Sequence, residues 1–273
     1  MAHIAHISDK QNLNVACPDG FANQLRLLLA GVYLCLSGVC ETYNQEWILN
    51  NHNNVNFKDY FNPLPKVTMN KISSDVDVEE IVTSCSFLSM MDTKFGKEAV
   101  RDWPFYFRQA IKFLIPRSEI LDIINLFAEK FEIEKCLGVH VRRTCKTALL
   151  SPDQDIRYRT PSGVLTNEDV LNVCKNYDKI YLATDNAETQ NFFKRKLKNK
   201  LVYFAQITEG SELFHQEYSR EKVNRYTTPL HTILDLFLLK KCKIFLGSSE
   251  SSLSLILKEW RDNKEDFPIF GKL

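Results

Sequence analysis

The chain has 273 residues, of which 44% are hydrophobic and 25% charged, so it can bury roughly three quarters of its unfolded surface and form an ordinary globular protein. Its 35 Lys and Arg residues nearly balance 34 Asp and Glu, which leaves a net charge of +1 and argues against a nucleic-acid or anionic-membrane partner. Length alone fits one large domain or two of about 130 residues.

We expect no secretory signal. The N-terminal segment lacks both a basic region and the ~7–15 apolar residues of a secretory signal. The most apolar stretch, residues 25–40, is interrupted by Arg26 and is shorter than the ~20 residues that span a bilayer. None of the eight cysteines forms a C-x-x-C pair, and His3 and His6 have no partners at zinc-like spacing. We therefore expect a cytoplasmic protein with reduced thiols, no metal and no membrane insertion.

A strand, a turn and a helix open the chain. Residues 13–17 predict a strand, residues 18–20 a turn, and residues 23–37 a helix with apolar residues on one side. The Asn-rich region 41–75, which contains Pro63 and Pro65, predicts irregular connections. Residues 108–131 have apolar residues at helical spacing, with Pro116 bending or dividing the element, and would connect two halves.

Three strand-to-helix turns follow in the second half. Residues 136–141, 179–184 and 243–247 are rich in strand-forming residues, and polar residues follow each run. Helices are predicted over residues 187–198 and 229–241 and from near Ser251 onward. This alternation indicates an α/β fold with a parallel sheet, in which ligands bind beyond the carboxyl ends of the strands.

The polar residues at these strand ends suit a diphosphate. Arg142 and Arg143 offer charged, planar forks to phosphate oxygens. The turns at residues 247–252 and 20–23 place small residues and free amides at helix N-termini, where the helix dipole favours an anion. Each feature alone is common as an ion-pair partner or a helix cap, but together they predict a diphosphate site between two α/β units. No Walker loop or G-x-G-x-x-G pattern is present.

Asp235 is a further candidate because it lies in an apolar helical run, residues 234–239. A buried carboxylate without a partner costs several kcal/mol or changes its protonation state. The sequence therefore predicts a partner for Asp235, either a protein group or a ligand.

Residues 137–144, which include His140, Arg142 and Arg143, resemble the His-x-Arg-Arg motif of the α1,6-fucosyltransferases. This family contains the core N-glycan enzyme and the bacterial nodulation fucosyltransferase. Residues 108–131, 181–185 and 233–254 resemble its other motifs in the same order, and residues 20–30 resemble its glycine turn. The resemblance spans residues 14–260.

The resemblance implies a GT-B-like α/β fold with two Rossmann-like domains that face each other across a cleft. Residues 1–130 would form the acceptor side, with the glycine turn at 18–23, and residues 131–273 would bind a nucleotide sugar. The implied activity is an inverting, metal-independent glycosyltransferase without a cofactor. It would transfer a sugar, in the first place fucose from GDP-fucose, to a glycan hydroxyl.

Roles carried over by position centre on Arg142, which would bind the donor phosphates, with Arg143 in support. His140 and Asp235 would face the nucleotide base, and Asp185 would shape the pocket. The full set of implied donor-binding residues is Gly20, Phe21, Ala22, Asn23, His140, Asp185, Asp235, Ser249, Ser251 and Ser252.

The sequence departs from the family after Thr144. There the family has Asp-Lys and then a glutamate regarded as the general base, whereas this chain has Cys145, Lys146 and an apolar run. Asp153 and Asp155 are substitute candidates for the base, although both also fit a simple loop turn. Three alternatives therefore stay open: a GDP-fucose enzyme, an enzyme with another donor such as UDP-xylose, and a non-catalytic sugar-nucleotide or glycan-binding protein. The lack of an anchor predicts a bacterial or viral protein, in the latter case in the host cytoplasm.

Overall fold

The structure is a computed structural model. It describes residues 13–17, 21–36, 41–47, 57–65, 67–68, 107–142, 166–207, 229–248 and 251–261. Contacts divide the chain into two units, Met1–Ser118 and Glu119–Leu273. Each unit has a parallel sheet of its own.

The first unit contains a three-stranded sheet. Strands β1 (Leu13–Cys17), β2 (Tyr43–Trp47) and β3 (Val67–Thr68) lie in the order β1-β2-β3. Helix α1 (Phe21–Leu36) follows β1, which confirms the predicted strand and helix, while the predicted turn at residues 18–20 lies outside the described residues. The helix begins two residues earlier than expected, so residues 21–23 form its first turn.

Helix α1 packs closely on β2. The Tyr43 hydroxyl donates to the Leu27 carbonyl at 3.2 Å, and a Cβ at position 31 would lie 2.3 Å from the Tyr43 ring. Only glycine leaves room for that ring. Leu25, Leu28 and other core residues of α1 are fully buried, as an interior helix requires.

The prediction of irregular connections over residues 41–75 is wrong where β2 and β3 form. The β2 sequence contains Asn44, Gln45 and Glu46 and has no apolar alternation, so its strand state depends on pairing with β1 rather than on propensity. Pro63 and Pro65 fall between the two strands.

The second unit contains a four-stranded sheet in the order β6-β5-β4-β7. Its strands are β4 (Leu137–Val141), β5 (Ile180–Thr184), β6 (Leu201–Val202) and β7 (Ile244–Gly247). Every described pairing is parallel, and all residues of β4 and β5 are buried. The three predicted strands and the parallel sheet are confirmed, whereas the two-residue β6 is too short to give a periodic signal.

Five α-helices accompany this sheet in the described residues: α2 (Ser118–Lys130), α3 (Asn167–Cys174), α4 (Ala187–Leu197), α5 (Pro229–Lys241) and α6 (Ser252–Trp260). The predicted helices near 187–198, 229–241 and 251 onward are confirmed. Pro116 divides the 108–131 element, because α2 begins two residues after it.

Helices cover both faces of the sheet. Val139 and its alternate neighbours in β4 pack in one core cluster with Leu171 of α3 and Phe193 of α4. On the opposite face, a Cβ at Gly138 would lie 2.8 Å from the Cys242 sulfur, just after α5, and His140 contacts α6. The alternation of β4 therefore sends His140 toward the face that α5 and α6 cover.

Two further findings concern the described residues alone. None of the helices there is long and apolar enough to cross a membrane. Cys35, Cys136, Cys174 and Cys242 are buried and carry free thiols.

Candidate functional site

Polar residues follow three adjacent strands of the second unit. In the register of the sheet, His140 of β4 lies opposite Gly247 of β7, and Val141 lies opposite Thr184 of β5. The next residue of each strand is polar: Arg142, Asp185 and Ser248. The parallel strands therefore bring these three residues to one edge, the carboxyl edge, where ligands bind in such sheets.

Arg142 and Asp185 form an ion pair at this edge. The Arg142 Nε lies 3.1 Å from the Asp185 Oδ2, and the Asp185 side chain is 6% exposed while that of Arg142 is 26% exposed. Removal of one partner from such a pair leaves a poorly solvated charge. The pair therefore keeps the Arg142 guanidinium at the strand ends, where part of the Arg142 side chain is in contact with solvent.

His140 is a buried, uncharged hydrogen-bonding group. Its Nδ1 lies 2.7 Å from the Ser254 Oγ in α6. Burial lowers the pKa of His140 to about 4, helped by the positive charge of Arg142, while Asp185 opposes the change. At neutral pH the imidazole therefore has one donor and one acceptor nitrogen.

Ser254 was not among the predicted site residues. It occupies the third position of α6, and a Cβ at Gly247 would lie 2.6 Å from its Oγ. In the sequence, this close approach corresponds to a glycine at the end of β7 followed by a serine seven residues later.

The Ser248 hydroxyl joins β7 to the end of β4. It donates to the His140 carbonyl at 3.1 Å and accepts from the Arg142 backbone N–H at 3.1 Å. Ser248 lies in the predicted serine turn, but the sequence did not single it out.

The start of α6 follows directly. Ser251 is the N-cap residue, its side chain makes no cap hydrogen bond, and its N–H donates to the Ser248 carbonyl at 3.1 Å. Serine at this position usually caps the helix. The Ser251 hydroxyl therefore does not have the capping role that is common for a serine before a helix. Ser252 is the first residue of α6, and the helix N-terminus favours anions.

Asp235 lies elsewhere in the unit. Its Oδ1 accepts from the hydroxyl of Tyr181 at 2.6 Å. Tyr181 is the second residue of β5, so this contact is about 10 Å along the strand from the carboxyl edge. Burial raises the pKa of Asp235 to about 7, although the Tyr181 hydrogen bond lowers it. The partner that the sequence required is thus a protein side chain.

The other predicted site residues are in the first unit or outside the described residues. Phe21 and Ala22 lie in the first turn of α1, where Phe21 is buried; for Asn23 only the helical backbone is described. The remaining ones, Gly20, Arg143, Asp153, Asp155 and Ser249, lie outside the described residues. In the described part of the chain no group of three or more His, Cys, Asp or Glu side chains could hold a metal ion.

Of the comparisons with known proteins, the one with solved structures gives matches. No model of a protein family matches the chain, and no curated protein matches it. Among solved structures, NodZ alpha-1,6-fucosyltransferase soaked with GDP-fucose is similar, with a TM-score of 0.54 at 13% identity over 92% of this chain and 93% of NodZ. The fold is GT-B-like.

Two further solved structures have a similar fold. Fucosyltransferase NodZ from Bradyrhizobium gives a TM-score of 0.54 at 14% identity, covering 91% of this chain and 92% of that one. POFUT1 in complex with GDP gives 0.50 at 13% identity, covering 97% of this chain and 99% of that one. The predicted fold class is therefore confirmed, and the predicted resemblance to the nodulation fucosyltransferase holds at the level of the fold.

Proposed function

We propose that this chain is an inverting, metal-independent glycosyltransferase that transfers fucose from GDP-fucose to a glycan hydroxyl. The observation that carries the proposal is the cluster at the carboxyl edge, where Arg142, Asp185 and neutral His140 lie beside the start of α6. The fold shared with fucosyltransferases supports the choice of donor.

Arg142 has the central role in this proposal. When the bond between the sugar and the diphosphate breaks, negative charge grows on the leaving phosphate oxygen, and a cation fixed nearby stabilises that charge most in the transition state. Arg143 would add a second cation. The N-terminus of α6, with Ser249, Ser251 and Ser252, would donate hydrogen bonds to the same phosphates.

His140 and Asp185 would form the part of the pocket next to the diphosphate. Because burial lowers the pKa of His140 to about 4 and its Nδ1 already bonds Ser254, the neutral ring would offer its Nε2 to the nucleotide base. Asp185 would shape the pocket and hold the Arg142 guanidinium. Asp235 is left out of this donor site, because its carboxylate bonds Tyr181 away from the strand ends.

Inversion follows from the direction of attack. The acceptor hydroxyl oxygen forms a bond to the anomeric carbon on the face opposite the diphosphate, the bond from that carbon to the phosphate oxygen breaks, and GDP leaves with the electron pair. The hydroxyl proton goes to a general base within hydrogen-bond reach. Asp153 and Asp155 are our candidates for this base.

A thermal-shift panel of GDP, UDP, GDP-fucose and UDP-xylose, with and without a divalent metal, tests the donor. Ligand at about 100 times its Kd adds roughly 2.7 kcal/mol of stability, which is about 5 °C or more for a protein of this size. We expect this shift with GDP and GDP-fucose in the absence of metal. A shift with the UDP ligands alone, or one that needs the metal, would contradict the proposal.

A non-catalytic binding protein is the second candidate, because the family's acidic residues are missing after Thr144. Such a protein would bind GDP-fucose without consuming it. Transfer of fucose to any glycan eliminates this alternative.

A further inference from the structure

A side chain extends the contact between β4 and β7 beyond the last paired residues. The β4–β7 pairing ends at His140 opposite Gly247. In a parallel ladder, the carbonyl of one residue and the N–H of the residue two positions later bond the same partner residue of the neighbouring strand. The next such pair in β4 is the His140 carbonyl and the Arg142 N–H.

The Ser248 side chain bonds both groups of this pair. The Ser248 hydroxyl donates to the His140 carbonyl and accepts from the Arg142 N–H, each at 3.1 Å. Ser248 is only 3% exposed. A hydroxyl has a single proton, and here it points to a protein carbonyl, so Ser248 has no proton to donate to a phosphate. Its role must differ from that of the serines farther along the turn.

The Ser248 backbone makes a separate contact. After Ser248 the chain turns, and the Ser248 carbonyl accepts from the N–H of Ser251, where α6 is about to begin. One residue therefore holds the Arg142 backbone in line with the sheet and also starts the turn that leads to the helix N-terminus. The guanidinium at the other end of Arg142 is held by Asp185.

We propose that Ser248 is a positioning residue for Arg142, which fixes the backbone from which the guanidinium reaches the donor diphosphate. This inference rests on the proposed function, since it assumes that Arg142 binds the diphosphate. Without the hydroxyl, the Arg142 N–H and the His140 carbonyl each lose this hydrogen bond, and the guanidinium is presented over a wider range of positions.

A double-mutant cycle measured by calorimetric titration of GDP tests the proposal. We expect Ser248→Ala to weaken GDP binding about tenfold in the wild-type background and less than twofold in the Arg142→Ala background, because a residue that acts through Arg142 has no effect once Arg142 is gone. Equal losses in both backgrounds would mean that Ser248 does not act through Arg142 and would overturn the proposal.

Thr166→Ala is the matched control for loss of a stabilising hydroxyl in the same unit. Thr166 caps α3, where its Oγ1 accepts from the Asp169 N–H at 3.2 Å, and it lies outside the proposed site. We expect this variant to lower the thermal midpoint and to bind GDP within about twofold of wild type, as removal of a cap requires. An equal loss of GDP affinity in both single variants would show a general stability effect and count against the proposal.

Amide hydrogen exchange separates this inference from the proposed function. If the wild-type protein binds no GDP, the proposed function fails, but the hydroxyl can still be tested on its own. We expect the Arg142 amide to exchange at least about tenfold faster in Ser248→Ala than in wild type, while the amide of Leu182 in the middle of β5 is unchanged. An unchanged rate at Arg142 would overturn the positioning role.

Discussion

Two carboxylates of the second unit lie in opposite electrostatic settings. Asp185 lies beside the Arg142 guanidinium, whereas Asp235 accepts a hydrogen bond from the neutral Tyr181 hydroxyl. Burial without a neighbouring cation, as at Asp235, disfavours the ionised carboxylate. This contrast fits a charged strand end at Arg142 and a mainly structural contact at Asp235.

Asp235 gives the protein a pH-dependent stability. Because its pKa rises to about 7 in the folded protein from 3.8 when unfolded, the folded state binds more protons between these values, and stability falls as the pH rises. We expect this one group to cost about 2–3 kcal/mol of unfolding free energy between pH 5 and pH 8. Asp235→Asn should lose this component in denaturant titrations at the two pH values.

Tyr181→Phe is the companion variant. It removes the hydrogen bond that lowers the pKa of Asp235, so the fall in stability should move to higher pH than in wild type. If wild type and Asp235→Asn show the same pH dependence, the carboxylate of Asp235 does not titrate in this range and the account of this contact is wrong.

At the level of elements, the approach of α6 to the end of β7 depends on one glycine. A Cβ at Gly247 would lie 2.6 Å from the Ser254 Oγ and 2.7 Å from the Phe245 ring, and overpacking of this kind costs about 1–3 kcal/mol. We expect Gly247→Ala to lower the unfolding free energy by this amount and to displace Ser254 from His140. Chemical denaturation gives the first quantity, and the chemical shifts of the His140 ring report the second.

The Ser254→Ala background sharpens this test. It removes the oxygen nearest to the new methyl group while leaving the Phe245 ring in place. The cost of Gly247→Ala should therefore become smaller in that background, though not zero. A cost that is unchanged by Ser254→Ala would show that α6 is not held as close to β7 as the structure indicates.

The sequence predicts the elements with a strong local signal. Residues 137–141 and 180–184 are continuous runs of strand-forming residues, and α5 and α6 lie where the sequence predicts helices at residues 229–241 and from near Ser251. In contrast, the polar β2 and the two-residue β6 depend on neighbouring strands. Such strands cannot be predicted from local composition, because tertiary pairing overrides propensity.

At the level of the whole molecule, the rule that ligands bind at strand ends predicted the edge of the sheet but not the contacts made there. Arg142 was singled out from its position after a strand. Its links are not local: Ser248 is 106 residues from the Arg142 backbone N–H that it accepts from, and Ser254 is 114 residues from His140. Only the strand order and the side of the sheet that α6 covers bring these groups together.

The partner of Asp235 could not be predicted either, because it also depends on contacts between distant parts of the sequence. Its place in an apolar helix correctly required a partner, but both a ligand and a protein group met that requirement. The choice depended on how α5 lies over β5, which puts the Tyr181 hydroxyl 2.6 Å from the carboxylate. A helix of 13 residues with apolar residues around most of its surface does not fix its own rotation.

The proposed role of Arg142 is to stabilise the diphosphate that leaves during fucosyl transfer. It is tested most directly by incubating wild type and Arg142→Ala with GDP-fucose that carries ¹³C in the sugar, together with a panel of glycans, and following the products by NMR. The account predicts fucosyl transfer with inverted anomeric configuration and a loss of rate of about 100-fold or more in Arg142→Ala. Transfer with retained configuration, binding without any transfer, or a near-normal rate in Arg142→Ala would contradict it.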